Sequence, residues 1–392
     1  IIMNHHPSPH PESPLLNFCP PSLPARSYFD EAWFLQEQKN IWAKNWAYVG
    51  RANDFKPMTM RRLSVAGQNI ILIKDRDGAI TSFHNTCRHR GSELCTVAER
   101  PLNSRLVSCP YHQWSYDFSG NLVRTPFVST TDDFVKEDHS LFPVHVKDWN
   151  GCVFVCLADT PPDFAGVPDV GLSVFDNWPM KDLVTGHTMV KELDCNWKIF
   201  WENFSECLHC PGIHPELCDM VPLYGQGIMS PTEAIDWTPD TTPPERTLKQ
   251  GARSWTMNGE ACGPEFPDLS DDQRKAGYLF ATLLPTMFIV AHVDYVRIVS
   301  LTPLGPERTE LKAEWLFPAA TLNADGFNLA NVTQFASIVM LQDGAACEMN
   351  QRGLKSAKFE NGTLMPQEFE VFKFHEWIRK HLGSNGKPEA GQ

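Results

Sequence analysis

Two short segments of the sequence each pair one cysteine with one histidine. Cys87 and His89 are separated by a single residue, and Cys109 and His112 by two residues. Two thiolates on one iron and two neutral imidazoles on the other are the ligands of an asymmetric [2Fe–2S] cluster. One segment can reach both irons from one side of the cluster, and the other segment can do so from the opposite side. The four residues are therefore candidate ligands of such a cluster.

The alternative for these four residues is a structural zinc site. Zinc fingers usually keep the paired cysteines together and the paired histidines together. Here each segment contributes one residue of each type, in the order Cys–His and Cys–His. Gly91 permits a tight first loop, and Pro110 stiffens the second. The arrangement favours the iron–sulfur cluster over zinc.

A second pair of histidines, His209 and His214, lies around a predicted helix break. Two residues five positions apart are rotated by about 140° on a continuous helix, so they do not share a face. Pro211 and Gly212 stand between them and should end or break the helix after His209. His214 can then turn back beside His209, and the two imidazoles can bind one metal ion.

Two imidazoles need a carboxylate to form the 2-His-1-carboxylate site that activates dioxygen at ferrous iron. Asp343 lies far along the chain in a largely apolar predicted helix, where an acid is costly to bury unless it is paired or bound to a metal. Glu348 is the second candidate. Its ordinary interpretation is a helix acid that pairs with Arg352 one turn later.

These candidate ligands lie in two regions of different predicted secondary structure. Aromatic residues at helix-like spacings predict an amphipathic helix from Tyr28 to Trp46. Short apolar runs broken by Gly, Asp and Asn predict a small all-β domain over 47–157. Prolines within 160–168 indicate a domain boundary.

The rest of the chain mixes strands and helices, which predicts an α+β domain with an antiparallel sheet. A loop or lid is expected between Tyr224 and Gln273, where Pro, Gly and Thr are frequent. Predicted strands are Tyr278–Leu284, Met287–Val293, Val296–Leu301 and Leu311–Phe317, and predicted helices are Trp197–His209, Phe327–Leu354 and Gln367–Leu382.

Composition excludes several classes of function. The 392 residues carry a net charge of -13, which argues against nucleic acid or anionic lipid as a main partner. No long apolar run predicts a membrane span, and the N-terminal residues lack the pattern of a secretory signal. We therefore expect a cytoplasmic protein in which most of the twelve cysteines are reduced.

The segments Cys87–Gly91, Cys109–His112 and Glu202–Pro215 strongly resemble the metal-binding motifs of Rieske non-haem iron oxygenases, in the oxygenase (alpha) component. The resemblance extends from about Tyr28 to Leu382. It implies an α+β fold, with an all-β Rieske [2Fe–2S] domain and a catalytic domain whose antiparallel sheet is covered by helices (helix-grip, START-like). The implied division is 1–27 as a flexible tail, 28–46 as a helix packed on the catalytic domain, 47–160 as the Rieske domain and 161–392 as the mononuclear iron domain.

The resemblance also implies roles for individual residues. His209, His214 and Asp343 would hold a mononuclear Fe(II). Glu206 takes the place of the acidic residue that links the two metal centres between subunits of a head-to-tail homotrimer, and Asn203 is a second candidate catalytic residue. We find no G-x-G-x-x-G fingerprint after a predicted strand. Electrons from NAD(P)H are therefore expected through a separate reductase or ferredoxin, for a reaction of dioxygen with a small-molecule substrate.

Two departures from the family pattern bear on the substrate. Glu206 stands where the family more often has Asp, and Leu208 stands where Tyr is common. Glutamate at this position resembles the branch that acts on quaternary ammonium compounds, such as glycine betaine, choline and carnitine. Cation–π contacts suit such substrates, but aromatic residues are also the usual core; those available are Phe200, Phe204, Trp237, Trp255, Tyr295 and Trp315.

Three other functions remain open from the sequence. One is an aromatic-ring-hydroxylating dioxygenase that acts on an aromatic acid. The second is a pure electron-transfer protein with a Rieske domain and an inert partner domain, and the third is a zinc-stabilised binding module. The joint presence of Glu206, His209, His214 and Asp343 places the oxygenase first.

Overall fold

The structure is a computed structural model that describes residues 2–4, 13–164, 172–244 and 247–383. Trp42–Asp163 forms one compact unit, and the described parts of Ile1–Ile41 and Phe164–Gln392 form a second. The ends of the first unit lie close to those of the predicted segment 47–160. No helix in the described ranges is both long and apolar enough to cross a membrane.

Short strands fill the segment predicted to be all-β, and the α-helices lie outside it. The strands are β1 Ile2–Asn4, β2 Ala47–Arg51, β3 Thr59–Val65, β4 Gln68–Lys74, β5 Ile80–His84, β6 Glu99–Pro101, β7 Leu106–Ser108, β8 Ser115–Asp117, β9 Leu122–Arg124, β10 Pro143–Trp149, β11 Cys152–Cys156, β12 Val184–Leu193, β13 Tyr278–Leu283, β14 Met287–His292, β15 Val296–Gly305 and β16 Arg308–Phe317. The α-helices are α1 Glu31–Glu37, α2 Trp197–Phe204, α3 Cys210–Ile213, α4 Pro215–Met220, α5 Asp271–Ala276, α6 Ala319–Leu322, α7 Leu329–Leu354 and α8 Phe369–Leu382.

The unit Trp42–Asp163 contains two antiparallel sheets. The larger sheet has the order β2-β11-β10-β5-β4-β3-β6, and the smaller has the order β7-β8-β9. The turn between β8 and β9 is fixed by Asp117, whose Oδ1 accepts hydrogen bonds from the backbone N–H groups of Ser119 and Asn121, 2.9 Å each. Gly120 has a φ of 87°, and a Cβ there would lie 2.5 Å from the ring of Phe83. These contacts fix the small sheet, which carries the second Cys–His segment between β7 and β8.

The second unit is built on a six-stranded antiparallel sheet with the order β1-β13-β14-β15-β16-β12. The helices α2 and α7 pack on each other, and α2 also contacts α8 and β15. Asn196 caps α2 by accepting a hydrogen bond from the backbone of Lys198, and Asn328 caps α7 from the backbone of Asn331. The predicted α+β class is confirmed.

Two local predictions differ from the structure. The helix expected from Trp197 to His209 ends at Phe204, because Ser205 leaves the helical region and donates its hydroxyl to the carbonyl of Trp201 at 2.6 Å. The helix expected from Tyr28 to Trp46 begins at Glu31, and its last turn is a π-helix over Gln38–Trp42. Strand β12 was not predicted, since its alternation of exposed and half-buried residues is weak.

The N-terminal segment also differs from the flexible tail predicted for 1–27. Residues 1 and 5–12 lie outside the described residues, as does 165–171 at the predicted boundary. The backbone of residues 13–27 forms hydrogen bonds with the backbone of residues 360–366. The backbone N–H groups of Leu16 and Ser22 donate to the carbonyls of Pro366 and Gly362, at 3.0 Å each. The extended backbone that prolines favour suits this pairing.

Candidate metal centres and the adjacent cavity

Three predicted ligands, His209, His214 and Asp343, meet in the catalytic unit. Oδ1 of Asp343 lies 2.9 Å from Nε2 of His214 and 3.4 Å from Nε2 of His209. One ligand atom of each residue lies within 4.8 Å of the other two, an arrangement that can hold a metal ion. The side chain of His214 is 1% exposed, and those of His209 and Asp343 are 17% and 16% exposed. The centre is thus half-open, as a site with free coordination positions requires.

The break between α2 and α4 places the two imidazoles together. His209 is the cap of the short α3, and His214 ends α3 and precedes α4. Pro211 and Pro215 lie in the first turns of these two helices, where a missing N–H costs nothing. The predicted return of His214 beside His209 is observed, with ring centroids 5.2 Å apart.

The outer nitrogen of each imidazole is held by a neighbouring side chain. Nδ1 of His209 donates to Oε1 of Glu206 at 2.6 Å, and Nδ1 of His214 donates to Oε1 of Gln342 at 2.8 Å. Nε2 of Gln342 in turn donates to Glu216 at 3.0 Å. Such contacts fix the tautomer and orientation of each ring, so that Nε2 points toward Asp343 and is the atom that can bind a metal. The sequence indicated Glu206 but not Gln342, although Gln342 immediately precedes Asp343.

Charge within the centre shifts its ionisation. Burial acts to lower the pKa of His209, but hydrogen bonds to Asp343 and Glu206 outweigh it and raise the pKa to about 9. Burial acts to raise the pKa of Asp343, yet its bonds to the two histidines hold the pKa below its usual value. Without a metal, the neighbouring carboxylates thus favour the protonated form of His209, so that a proton occupies the position where a metal cation would bind.

Asn203 and a cysteine pair complete the surroundings of His209. Nδ2 of Asn203 lies 3.5 Å from Nε2 of His209. Cys207 and Cys210 form a disulfide across the turn that carries His209. The sequence did not predict this pair, and the other ten cysteines are free, in line with the expectation that most are reduced.

The residues predicted to bind the cluster lie on two loops of the other unit. Cys87 and Cys109 are buried, and the ring centroids of His89 and His112 are 4.6 Å apart. Nδ1 of His89 is buried and has no hydrogen-bond partner. A buried imidazole nitrogen without a partner is costly unless it binds a ligand. The residues present therefore fit a Rieske cluster.

Neighbouring side chains hold these loops in place. Oη of Tyr116 lies 3.2 Å from Sγ of Cys87, and the backbone of Arg88 donates to the same Oη at 3.1 Å. The ring of His89 stacks on Trp114 at 4.6 Å. Gly91 has a φ of 78°, as the predicted tight loop requires.

A cavity opens beside the three converging ligands of the catalytic unit. The space between its walls is about 650 Å³, open solvent included. Its aromatic walls are formed by Phe200, Phe204, Tyr224, Trp255, Phe280 and Phe288. Of the aromatic residues considered from the sequence, Trp237, Tyr295 and Trp315 are not among those lining it. The charged lining residues other than histidine are Glu206, Arg297 and Asp343.

Comparison with known proteins identifies the family. Residues 180–384 match the family described as "Ring hydroxylating alpha subunit (catalytic domain)". Residues 45–137 match the Rieske [2Fe-2S] domain. The chain belongs to the Rieske non-haem iron oxygenases. This confirms the resemblance found in the sequence and sets aside the zinc-stabilised binding module.

Several relatives of this Rieske oxygenase are named for quaternary ammonium substrates. The glycine betaine monooxygenase oxygenase subunit of Chromohalobacter salexigens is 30% identical, over 94% of this chain and 87% of the relative. The carnitine monooxygenase oxygenase subunit of Acinetobacter pittii is 28% identical, over 86% of this chain and 85% of the relative.

Solved structures show the same fold as this Rieske oxygenase. The quaternary ammonium Rieske monooxygenase CntA in complex with γ-butyrobetaine has a TM-score of 0.67 and 21% identity, over 92% of this chain and 95% of that chain. Naphthalene 1,2-dioxygenase from Rhodococcus sp. bound to indole has a TM-score of 0.65 and 17% identity, over 92% and 94%.

Membership of the family establishes the cofactors of this Rieske oxygenase. It carries a Rieske [2Fe–2S] cluster and a mononuclear iron, and an oxygenase subunit takes its electrons from a separate reductase. Both donor sets in the structure suit these groups, since one contains two thiolates and two imidazoles and the other contains two imidazoles and one carboxylate.

Proposed function

We propose that this Rieske oxygenase uses dioxygen and reductase-supplied electrons to hydroxylate or N-demethylate a quaternary ammonium compound of the betaine type. The observation that carries the proposal is the cavity, in which aromatic rings surround a space bordered by the carboxylates of Glu206 and Asp343. Aromatic faces and nearby carboxylates both attract a trimethylammonium group.

The aromatic walls are packed against one another and present a rigid surface. The rings of Phe204 and Phe288 stack with centroids 3.9 Å apart. Trp255 contacts Tyr278 at 4.8 Å and His292 at 5.3 Å, so its ring is held from two sides. Rigid rings bind a cation without a large loss of side-chain entropy. The names of the relatives support the same substrate class.

Each predicted site residue has a defined part in this proposal. Cys87, His89, Cys109 and His112 hold the cluster, and His209, His214 and Asp343 hold the mononuclear iron. When bound, the cluster supplies electrons and the iron supplies dioxygen activation. Glu206 and Gln342 orient the two iron-binding imidazoles by accepting hydrogen bonds from their Nδ1–H groups. Asn203 lies beside His209 and borders the space that the substrate enters.

The proposed assembly is a homotrimer with head-to-tail packing. In it, Glu206 accepts a hydrogen bond from His209 of its own chain and a second from a cluster-binding histidine of the neighbouring chain. A carboxylate between two imidazoles couples their orientation and protonation. The side chain of Glu206 is 14% exposed, so part of it remains accessible to such a partner.

Reductase-driven dioxygen uptake tests the substrate class. The assay compares glycine betaine, L-carnitine and γ-butyrobetaine with benzoate and phthalate, and measures product beside uptake. We expect uptake coupled to product, including formaldehyde where an N-methyl group is oxidised, with a trimethylammonium compound. Uncoupled uptake with all three, together with hydroxylated product from an aromatic acid, would overturn the proposal.

Metal analysis separates the oxygenase from a pure electron-transfer protein. The proposal requires about three irons and two acid-labile sulfides per chain. Asp343→Asn should lose the mononuclear iron and the oxygenase activity but keep the cluster, while Glu348→Gln on the same helix should keep both. A metal-replete enzyme that holds only the two cluster irons would contradict the assignment of His209, His214 and Asp343.

A further inference from the structure

Arg297 faces the cavity from the centre of the six-stranded sheet. In the antiparallel register, Phe280 of β13 lies opposite Val290 of β14, and Val290 lies opposite Arg297 of β15. Residues directly opposite each other in adjacent strands project on the same face of a sheet. All three line the cavity. The sheet therefore places one guanidinium in a row of apolar side chains.

The guanidinium is buried and incompletely paired. Arg297 is 5% exposed, and its Nε and Nη1 are buried without a hydrogen-bond partner. The indole Nε1 of Trp255, another residue of the cavity, is likewise buried without a partner. Burying an unpaired cation is costly, because protein atoms replace its water shell without replacing its hydrogen bonds. An anionic ligand group would satisfy these donors.

The charges of the cavity suit a ligand that carries both signs. Glu206 and Asp343 supply negative charge at the iron-binding centre, and Arg297 is the one arginine or lysine among the described residues that line the cavity. A simple organic cation would be attracted by the carboxylates but repelled by the guanidinium. A zwitterion can satisfy both, with its trimethylammonium group among the rings and its carboxylate on Arg297.

We propose that Arg297 binds the carboxylate of a zwitterionic substrate and selects trimethylammonium carboxylates over trimethylammonium compounds that lack an acid. The inference rests on the proposed function, since it identifies the acidic half of that substrate. A guanidinium presents several N–H donors in one plane and matches a carboxylate in two-point contact. A trimethylammonium compound without an acid is rejected because it leaves the positive charge of Arg297 uncompensated.

A role through the metal centre is the competing explanation for Arg297. Asp343 attracts the guanidinium electrostatically, so Arg297 could act by stabilising the charge of that iron ligand. The two roles differ in what they do to ligands. Stabilisation of Asp343 would affect every ligand and the iron content equally, whereas loss of a carboxylate contact weakens the binding only of ligands that carry an acid.

Binding to the iron-loaded enzyme without dioxygen distinguishes these roles. Isothermal titration would compare glycine betaine with its amide, in which a neutral carboxamide replaces the carboxylate and the trimethylammonium cation is kept. We expect the wild type to bind the carboxylate at least tenfold more tightly than the amide. Arg297→Gln should weaken binding of the carboxylate about 100-fold, tighten binding of the cationic amide because the repelling guanidinium is gone, and leave the iron content unchanged. Arg308→Gln, an exposed change at the start of β16, serves as the matched control.

Every result of this titration bears on the inference. Equal weakening for both ligands, loss of iron, or no change in Arg297→Gln would overturn it. If that variant does not fold, the wild type and Arg297→Lys are compared instead. Equal affinity of the wild type for acid and amide would overturn the inference. A reduced preference of the Lys variant for the acid would support it. Binding of benzoate that depends on Arg297, with no oxidation of any trimethylammonium compound, would retain the carboxylate contact and reject the proposed substrate class.

Discussion

Glu206 and His209 are joined by a hydrogen bond of 2.6 Å between Oε1 and Nδ1, and the backbone N–H of His209 also donates to Glu206 at 3.3 Å. The carboxylate thus holds both the ring and the turn of one proposed iron ligand. These two bonds stop the imidazole from rotating. A new contact or a charge change at the carboxylate of Glu206 would therefore act directly on the orientation and protonation of His209.

Glu206→Gln should reduce reductase-driven turnover about 10- to 100-fold and leave the cluster and iron contents unchanged. The amide oxygen can still accept the hydrogen bond from Nδ1–H of His209, but the negative charge is lost. Turnover and the rate at which dioxygen and substrate reoxidise the reduced cluster should be measured beside Glu348→Gln as the control. Unchanged turnover, or loss of iron in parallel with activity, would contradict a coupling role.

Gln342→Ala should lower iron affinity by about tenfold or more, because Nδ1 of His214 loses its acceptor. Competition with a ferrous chelator measures the effect. Gln342→Glu keeps an acceptor and should restore most of the affinity. Gln334→Ala, an exposed change on the same helix α7, should have no effect. If Gln342→Ala retains iron as well as the wild type, Gln342 does not position His214.

Tyr116→Phe should lower the reduction potential of the cluster by roughly 50 mV. Oη of Tyr116 lies 3.2 Å from Sγ of Cys87, and loss of one hydrogen bond to a ligand sulfur costs about 1 kcal/mol of preference for the reduced state. Redox titration measures the shift, with Tyr111→Phe as a control for an exposed hydroxyl. An unchanged potential would show that Tyr116 does not donate to this sulfur.

Lys198→Met should destabilise the catalytic unit by about 3–5 kcal/mol, because it leaves Glu37 buried without its counter-charge. Nζ of Lys198 lies 2.6 Å from Oε1 of Glu37, and both side chains are 0% exposed. Burial raises the pKa of Glu37 in spite of this partner. The double change with Glu37→Gln should cost less than the sum of the single changes. Thermal unfolding of the four proteins checks this, and additive losses would exclude coupling between the pair.

Glu233 should make stability fall as pH rises through neutrality. Burial raises the pKa of Glu233 to about 7, and its Oε1 is buried without a partner. Between the ordinary glutamate pKa and 7, the folded protein binds more protons than the unfolded chain, so the stabilisation is lost with increasing pH. Glu233→Gln should therefore raise the free energy of unfolding at pH 8 by up to roughly 3 kcal/mol, seen as a higher melting temperature. At pH 5 it should have little effect.

Glu260→Gln is the matched control for this pH prediction, since it removes the same charge from an exposed site. Its melting temperature should follow that of the wild type at both values of pH. A Glu233→Gln variant that is equally stabilised at pH 5 and pH 8 would show that the effect comes from packing and not from the buried carboxylate.

Local sequence patterns were enough to predict the ligand types of both centres and the short segments that carry most of them. The cysteines and histidines predicted to bind the cluster lie within two short loops. The predicted helix break near His209 and His214 exists, but not at Pro211 and Gly212, which lie inside α3; α2 ends earlier, at Phe204, and the second break is at His214. These features depend on short-range backbone preferences, which act within a few residues. The family was predicted correctly from these motifs, and the α+β class from the succession of predicted strands and helices.

The choice of the carboxylate that joins the histidines depends on long-range contacts. Asp343 and Glu348 lie five residues apart on α7, so they point in directions about 140° apart, and only one can face α4. Asp343 reaches His214 across 129 residues of sequence, whereas Glu348 accepts a hydrogen bond from the backbone of Asp194. The roles proposed for Gln342 and Arg297 also depend on long-range contacts. Their partners and the cavity are assembled by contacts between distant segments, which no local pattern encodes.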